Sequence, residues 1–164
     1  MDQELLTLLI NLAAASGMVA LTVIIHFAGL LRLSHLMSGA HARLKTQTER
    51  MRQALVILLA VFGVFALHTI EVWSYAFFFW RLHEIETFEA ALYFSTVTFA
   101  TLGYGDLVLS ERWRLFAAIE SVNGVILVGW STAFLFTVTS RLRLLEHEWA
   151  EPRRDGIGAG GGGR

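Results

Sequence analysis

The sequence predicts an all-α membrane protein, and three observations predict it. Of 164 residues, 55% are hydrophobic and only 16% charged, with a mean hydropathy of +0.55; a water-soluble domain of this size carries about 25% charged residues. The apolar residues gather into three runs, Leu5 to Leu31, Ala54 to Trp80 and Leu115 to Ser140. Each exceeds the roughly 20 residues a helix needs to cross about 30 Å of hydrocarbon, and none has the wide polar face of a helix on a soluble core. Finally, ten of the thirteen Lys and Arg residues lie either between the first two runs or after the third. By the positive-inside rule that places both regions in the cytoplasm of a multi-pass protein of the plasma or inner membrane, with the N-terminus outside. A net charge of −1 argues against a nucleic-acid partner, and a chain without cysteine has no disulfide and no Cys-ligated zinc.

The first span, residues 1–31, opens on Asp2 and Glu4 rather than basic residues and continues far past Ala13 and Ala15, so it reads as a retained helix and not a cleaved signal peptide. His26 and His35 flank its inner end, where an interfacial position is expected. Residues 32–53 read as a basic cytoplasmic loop. The second span, 54–80, carries His68 and Glu71 three residues apart on one face. An intramembrane carboxylate calls for a named partner. A hydrogen bond to the short helix that follows is expected, and a proton-sensing pair is the alternative. Trp73, Tyr75, Phe77, Phe78, Phe79 and Trp80 read as an aromatic belt at the outer interface. Outside the membrane, Glu84, Glu86, Glu89, Asp106 and Glu111 mix with Arg81, Arg112 and Arg114 as a solvated surface.

Between the second and third spans, residues 89–99 are apolar and helix-compatible but too short to cross; Thr87 suits an N-cap, and Glu89 complements the positive end of the helix dipole. The following Thr101-Leu102-Gly103-Tyr104-Gly105-Asp106 sets two glycines around a tyrosine, which suits an extended strand with residues at positive φ. A short helix and such a strand on one side of the membrane read as a re-entrant loop, tolerated only where it is buried in protein or lines water. In the third span, 115–140, Glu120 is expected to reach the outer interface, while Gly124 and Gly129 are candidate gating hinges or points of close helix packing. Residues 141–164 form a cytoplasmic tail whose glycine-rich part, from Glu151, cannot bury apolar surface.

Residues 101–106 resemble the filter of the potassium channels, Thr-Val-Gly-Tyr-Gly-Asp, with Leu102 the one change. The resemblance covers roughly Ala54 to Ser140 as outer helix (54–80), pore helix (89–99), filter (101–106) and inner helix (115–140). It implies a homotetramer in which the backbone carbonyls of Thr101, Leu102, Gly103 and Tyr104 replace the hydration shell of K⁺, the Thr101 hydroxyl adding the innermost ring. Gly103 and Gly105 would let adjacent carbonyls face one axis, and the negative end of the pore helix would favour a cation below. The chain departs from the family pattern at three places. Ala100 stands where Thr is usual, Leu102 where Val is, and Tyr93 and Phe94 where many members carry paired tryptophans. The Tyr93 hydroxyl is therefore expected to donate to Asp106 and support the filter.

Potassium is then the permeant ion, the bilayer and other copies of the chain are the partners, and no cofactor is expected. The rival readings are a weakly selective cation channel and a non-conducting subunit of a larger transporter or sensor. No nucleophile–base arrangement or metal-ligand set is legible and the histidines are scattered, so an enzyme is not predicted. No helix carries the regularly spaced arginines of a voltage sensor.

Overall fold

The computed structural model describes residues 3–43 and 48–150. Among them are four helices and no strand: α1 (Gln3–Arg43), α2 (Glu49–Arg81), α3 (Phe88–Phe99) and α4 (Arg114–Ala150). Gln3–Gly39, Met51–Arg81 and Arg114–Arg141 are long and apolar enough to cross a membrane. Three expected boundaries move. The region 32–53 is largely helical, since α1 runs on to Arg43 and α2 starts at Glu49, and α4 runs on to Ala150. Ser34 and Ser38 do not break α1, because each hydroxyl bonds a carbonyl of the preceding turn, at 2.8 and 3.0 Å. The glycine-rich tail from Glu151 lies outside the described residues, as do residues 44–47 of the expected loop.

The distribution of polarity is inverted relative to a soluble protein. Phe62, Phe65 and Phe136 are 68–72% exposed, while Asn11, Thr22, His26, Glu71, Ser95, Glu120, Asn123 and Ser131 are buried. Apolar surface turned outward over three long helices is what a bilayer tolerates and water does not. Inside, the polar groups hold helix to helix where hydrophobic packing gives no preference over lipid.

α1 packs on α2 and α4, and α3 sits between α2 and α4. Two glycines set the α1–α2 approach: a Cβ on Gly29 would stand 2.1 Å from Leu67 Cδ2, and one on Gly63 would stand 2.5 Å from Leu33 Cδ1. The sockets are reciprocal, each helix offering a glycine to the other's leucine. Around α3 the core is aromatic. Phe78 stacks on Phe116 at 4.6 Å, and Phe79 meets Phe94 and Phe116 edge-on at 5.5 and 5.4 Å. The expected aromatic belt therefore divides by helix face. Tyr75 and Phe79 are fully buried against α3 and α4, whereas Trp73, Phe77 and Trp80 remain exposed.

Candidate functional site

α3 begins where Thr87 accepts a hydrogen bond from the Ala90 amide at 3.2 Å, with Glu89 in the first turn. Its far end closes with a pair of bonds: the Leu102 amide donates to the Val97 carbonyl at 2.8 Å, and the Thr101 amide to the Thr98 carbonyl at 2.9 Å. These are the two bonds of a Schellman motif, whose left-handed position is usually glycine. Here Thr101 occupies it at φ 60°. A β-branched residue there is strained by roughly 1–2 kcal/mol, and such strain concentrates at functional sites.

The left-handed backbone recurs as a pattern, without strain at the glycines. Thr101, Gly103 and Gly105 have φ of 60°, 51° and 77°, while Leu102 and Tyr104 between them do not have positive φ. Alternation in the sign of φ is the condition under which successive peptide carbonyls can face one way, where an ordinary strand alternates them. The segment is thus irregular rather than the expected strand. Sequence reasoning identified the two glycines and missed Thr101, because nothing in a threonine announces a left-handed backbone. Leu102 and Tyr104 are 56% and 67% exposed in the single chain.

Three contacts hold this segment. The Tyr93 hydroxyl donates to Asp106 Oδ2 at 2.8 Å, tying the middle of α3 to the end of the segment; that bond holds the phenol above its ordinary pKa. The Ser110 amide donates to Glu84 at 3.1 Å, so one of the carboxylates expected on a solvated surface tethers the loop after Asp106 to the α2–α3 turn. On α4, Gly124 lies against α3, and a Cβ there would stand 2.2 Å from the Phe99 carbonyl oxygen. Gly124 is therefore a point of close helix packing, one of the two roles its sequence position suggests. Gly129 has open space in the same test.

Behind the segment, two buried polar layers cross three helices. In one, the Asn123 amide of α4 donates to Thr22 of α1 at 2.8 Å and to Tyr75 of α2 at 3.1 Å. One turn further along α1 and α2, Glu71 accepts from His26 Nδ1 and from His68 Nδ1, each at 2.8 Å. Ser131 of α4 lies 3.4 Å from His26 Nε2 and 3.0 Å from His68 Nε2. This corrects two expectations. His26 is fully buried rather than interfacial, because the Glu71 carboxylate requires a donor at that depth. Glu71 joins α2 to α1, not to α3; the link to α3 is the His68 ring, 5.7 Å from the Phe99 ring. The histidines are therefore not scattered: His26, His68 and Glu71 bring their ligating atoms within 4.8 Å of one another.

Glu120 is corrected as well. It is fully buried, because its position on α4 turns it toward Ser95 of α3, and neither of its carboxylate oxygens closes a hydrogen bond. The sequence signal that finds these layers is spacing. Thr22 and His26, and Glu71 and Tyr75, are each four apart within an otherwise apolar run, which places each pair on one face.

Residues 54–141, just over half of the chain, match a family model described as an ion channel. The match takes in most of α2, all of α3, the 101–106 segment and α4 as far as Arg141, and leaves α1 outside it. No curated protein and no solved structure matches the chain.

Proposed function

Because this chain belongs to the ion channel family, we propose that it passes potassium ions passively across a cell membrane through a pore built from four copies. The observation that carries this reading is the alternating φ at Thr101, Gly103 and Gly105. It lies in a segment that follows a 12-residue helix between two apolar spans. A helix of that length rises about 18 Å, too little to cross the hydrocarbon, so α3 enters and the 101–106 segment returns to the same side.

In this reading the carbonyls of Thr101, Leu102, Gly103 and Tyr104 replace the water around a potassium ion. One chain provides a single strip of such oxygens, and four strips around an axis surround the ion. The exposure of Leu102, Tyr104 and Val108, at 56%, 67% and 74%, supports a surface completed by further copies. The negative end of α3 stabilises a cation below the segment. Tyr93 braces the outer end through Asp106. The N-terminus and the 82–113 region lie outside the cell, and the α1–α2 connection and the C-terminus inside. No enzymatic activity and no cofactor are part of the proposal.

Ala100 and Leu102 set the rival, a weakly selective cation pore. The test is flux from purified protein in liposomes under opposed potassium and sodium gradients, with subunit number read by cross-linking. Potassium-selective flux from a tetramer that is lost in Gly103→Ala supports the proposal. Equal sodium and potassium flux selects the weakly selective pore, and absence of flux a non-conducting subunit.

A further inference from the structure

The layer of His26, His68, Glu71 and Ser131 gathers two imidazoles and one carboxylate, atoms that can ligate a metal, around one point between α1 and α2. In the arrangement with neutral imidazoles, each Nδ1–H donates to one Glu71 oxygen, and each Nε2 is left as an acceptor. Ser131 is the group that faces both Nε2 atoms, and it has one proton for two acceptors. Closing the layer with protons alone therefore takes one further proton, which turns one ring into an imidazolium that balances the buried Glu71 carboxylate. Unsatisfied polar groups and unneutralised charge are both costly at such depth.

The hydrogen bonds also close when a divalent cation takes the place of the two Nδ1 protons, with one positive charge left for a bound hydroxide or anion to balance. Each histidine then carries its proton on Nε2, and both Nε2–H groups donate to the two lone pairs of Ser131 Oγ. The serine's own proton turns to a carbonyl of the preceding turn. From the neutral-imidazole arrangement each ring only changes tautomer, and from the arrangement with one imidazolium a single proton leaves to solvent. We propose that His26 Nδ1, His68 Nδ1 and a Glu71 oxygen form a binding site for a divalent first-row transition cation such as Zn²⁺, with Ser131 orienting both rings. Two imidazoles and one carboxylate are a donor set such ions use, with a fourth position left for water, and ligating histidines characteristically donate their other N–H to a fixed acceptor. The ligating atoms already lie within 4.8 Å of one another. His68 keeps 18% of its side chain exposed, at a groove it shares with Thr96 and Ala100, which gives an ion an approach. A bound cation would fasten α1, the helix outside the family match, to α2 beside Phe99.

The test uses the untagged full chain in detergent, stripped with a chelator and titrated with Co²⁺ alone. One Co²⁺ per chain, with the visible bands of a tetrahedral nitrogen–oxygen site and displacement by Zn²⁺, is expected, together with a higher melting temperature in Zn²⁺. Glu71→Gln and His26→Gln should abolish the bands; the amide of His26→Gln still donates to Glu71 and so keeps the helices joined. Ser131→Ala, which leaves every ligand in place, should weaken binding by about 10–100-fold, and the exposed His35→Ala should leave it unchanged. A wild-type chain that takes up no Co²⁺ overturns the site and leaves a hydrogen-bonded layer only. Bands that survive in a folded His26→Gln chain, or affinity unchanged in Ser131→Ala, overturn it too. None of these readouts depends on conduction.

Discussion

Replacing Gly124 with alanine places one methyl group against the root of the 101–106 segment. The new Cβ would stand 2.2 Å from the Phe99 carbonyl oxygen, with Phe99 C and Cα at 3.0 and 3.1 Å. All three atoms are backbone, so no side chain can swing aside. Opening the closest contact to even 3.0 Å requires α3 and α4 to part by about 0.8 Å. Overpacking of this kind costs about 1–3 kcal/mol, while exchanging glycine for alanine within a helix gains up to about 1 kcal/mol. Gly129→Ala separates the two effects, since its Cβ meets nothing within 4 Å on the same helix. Thermal unfolding of both variants in one detergent should place Gly124→Ala below Gly129→Ala by the full overpacking cost. Liposome flux should change in Gly124→Ala, because Phe99 lies two residues before Thr101. Two variants that melt together and conduct like the parent would refute the inference that the α3–α4 contact positions the segment.

Tyr93→Phe removes the hydroxyl that holds Asp106, and faster loss of conduction under sustained potassium flux is expected in single-channel recordings. The same bond raises the Tyr93 pKa, so the neutral phenol's contribution is complete below the unfolded value of about 10. It disappears as pH climbs through the raised one. Wild-type recordings should therefore converge on those of Tyr93→Phe only in strong alkali. Glu120→Gln exchanges a fully buried carboxyl group whose oxygens have no hydrogen-bond partner for a group of the same shape that cannot ionise, and a melting temperature no lower than the parent's is expected. Asn123→Ala breaks the bonds to Thr22 and Tyr75. Loss of about 1–3 kcal/mol should appear in denaturant titration, together with faster proteolysis of the α1–α2 connection.

What could be read without coordinates was whatever depends on neighbours along the chain. Run length established the three spans, because the hydrocarbon thickness is fixed and each helical residue rises a fixed amount. Thr87 and Glu89 marked the start of α3, and Gly103 and Gly105 marked positive φ, because caps and left-handed residues are chosen by local chemistry. Even the Tyr93–Asp106 bond was accessible, given the resemblance to potassium channels, because it joins a helix to the segment directly following it. The aromatic stretch 73–80 shows where such reading stops. Its composition suits an interface, yet Tyr75 and Phe79, four apart and so on one face of α2, pack against Phe94 and Phe116, while Trp73, Phe77 and Trp80 share another face that stays exposed.

Partners brought from far along the chain were decided by packing alone. His26 finds Glu71 across 45 positions and Asn123 finds Thr22 across 101, distances at which spacing says nothing about contact. Glu120 near a helix end looked free to reach water, but the rotation of α4 about its axis turned it inward toward Ser95. Thr101 took a left-handed backbone because the closing hydrogen bonds of α3 demanded it there. A linear pattern fixes which face of a helix a residue occupies, but only the docking of one helix on another decides what that face meets.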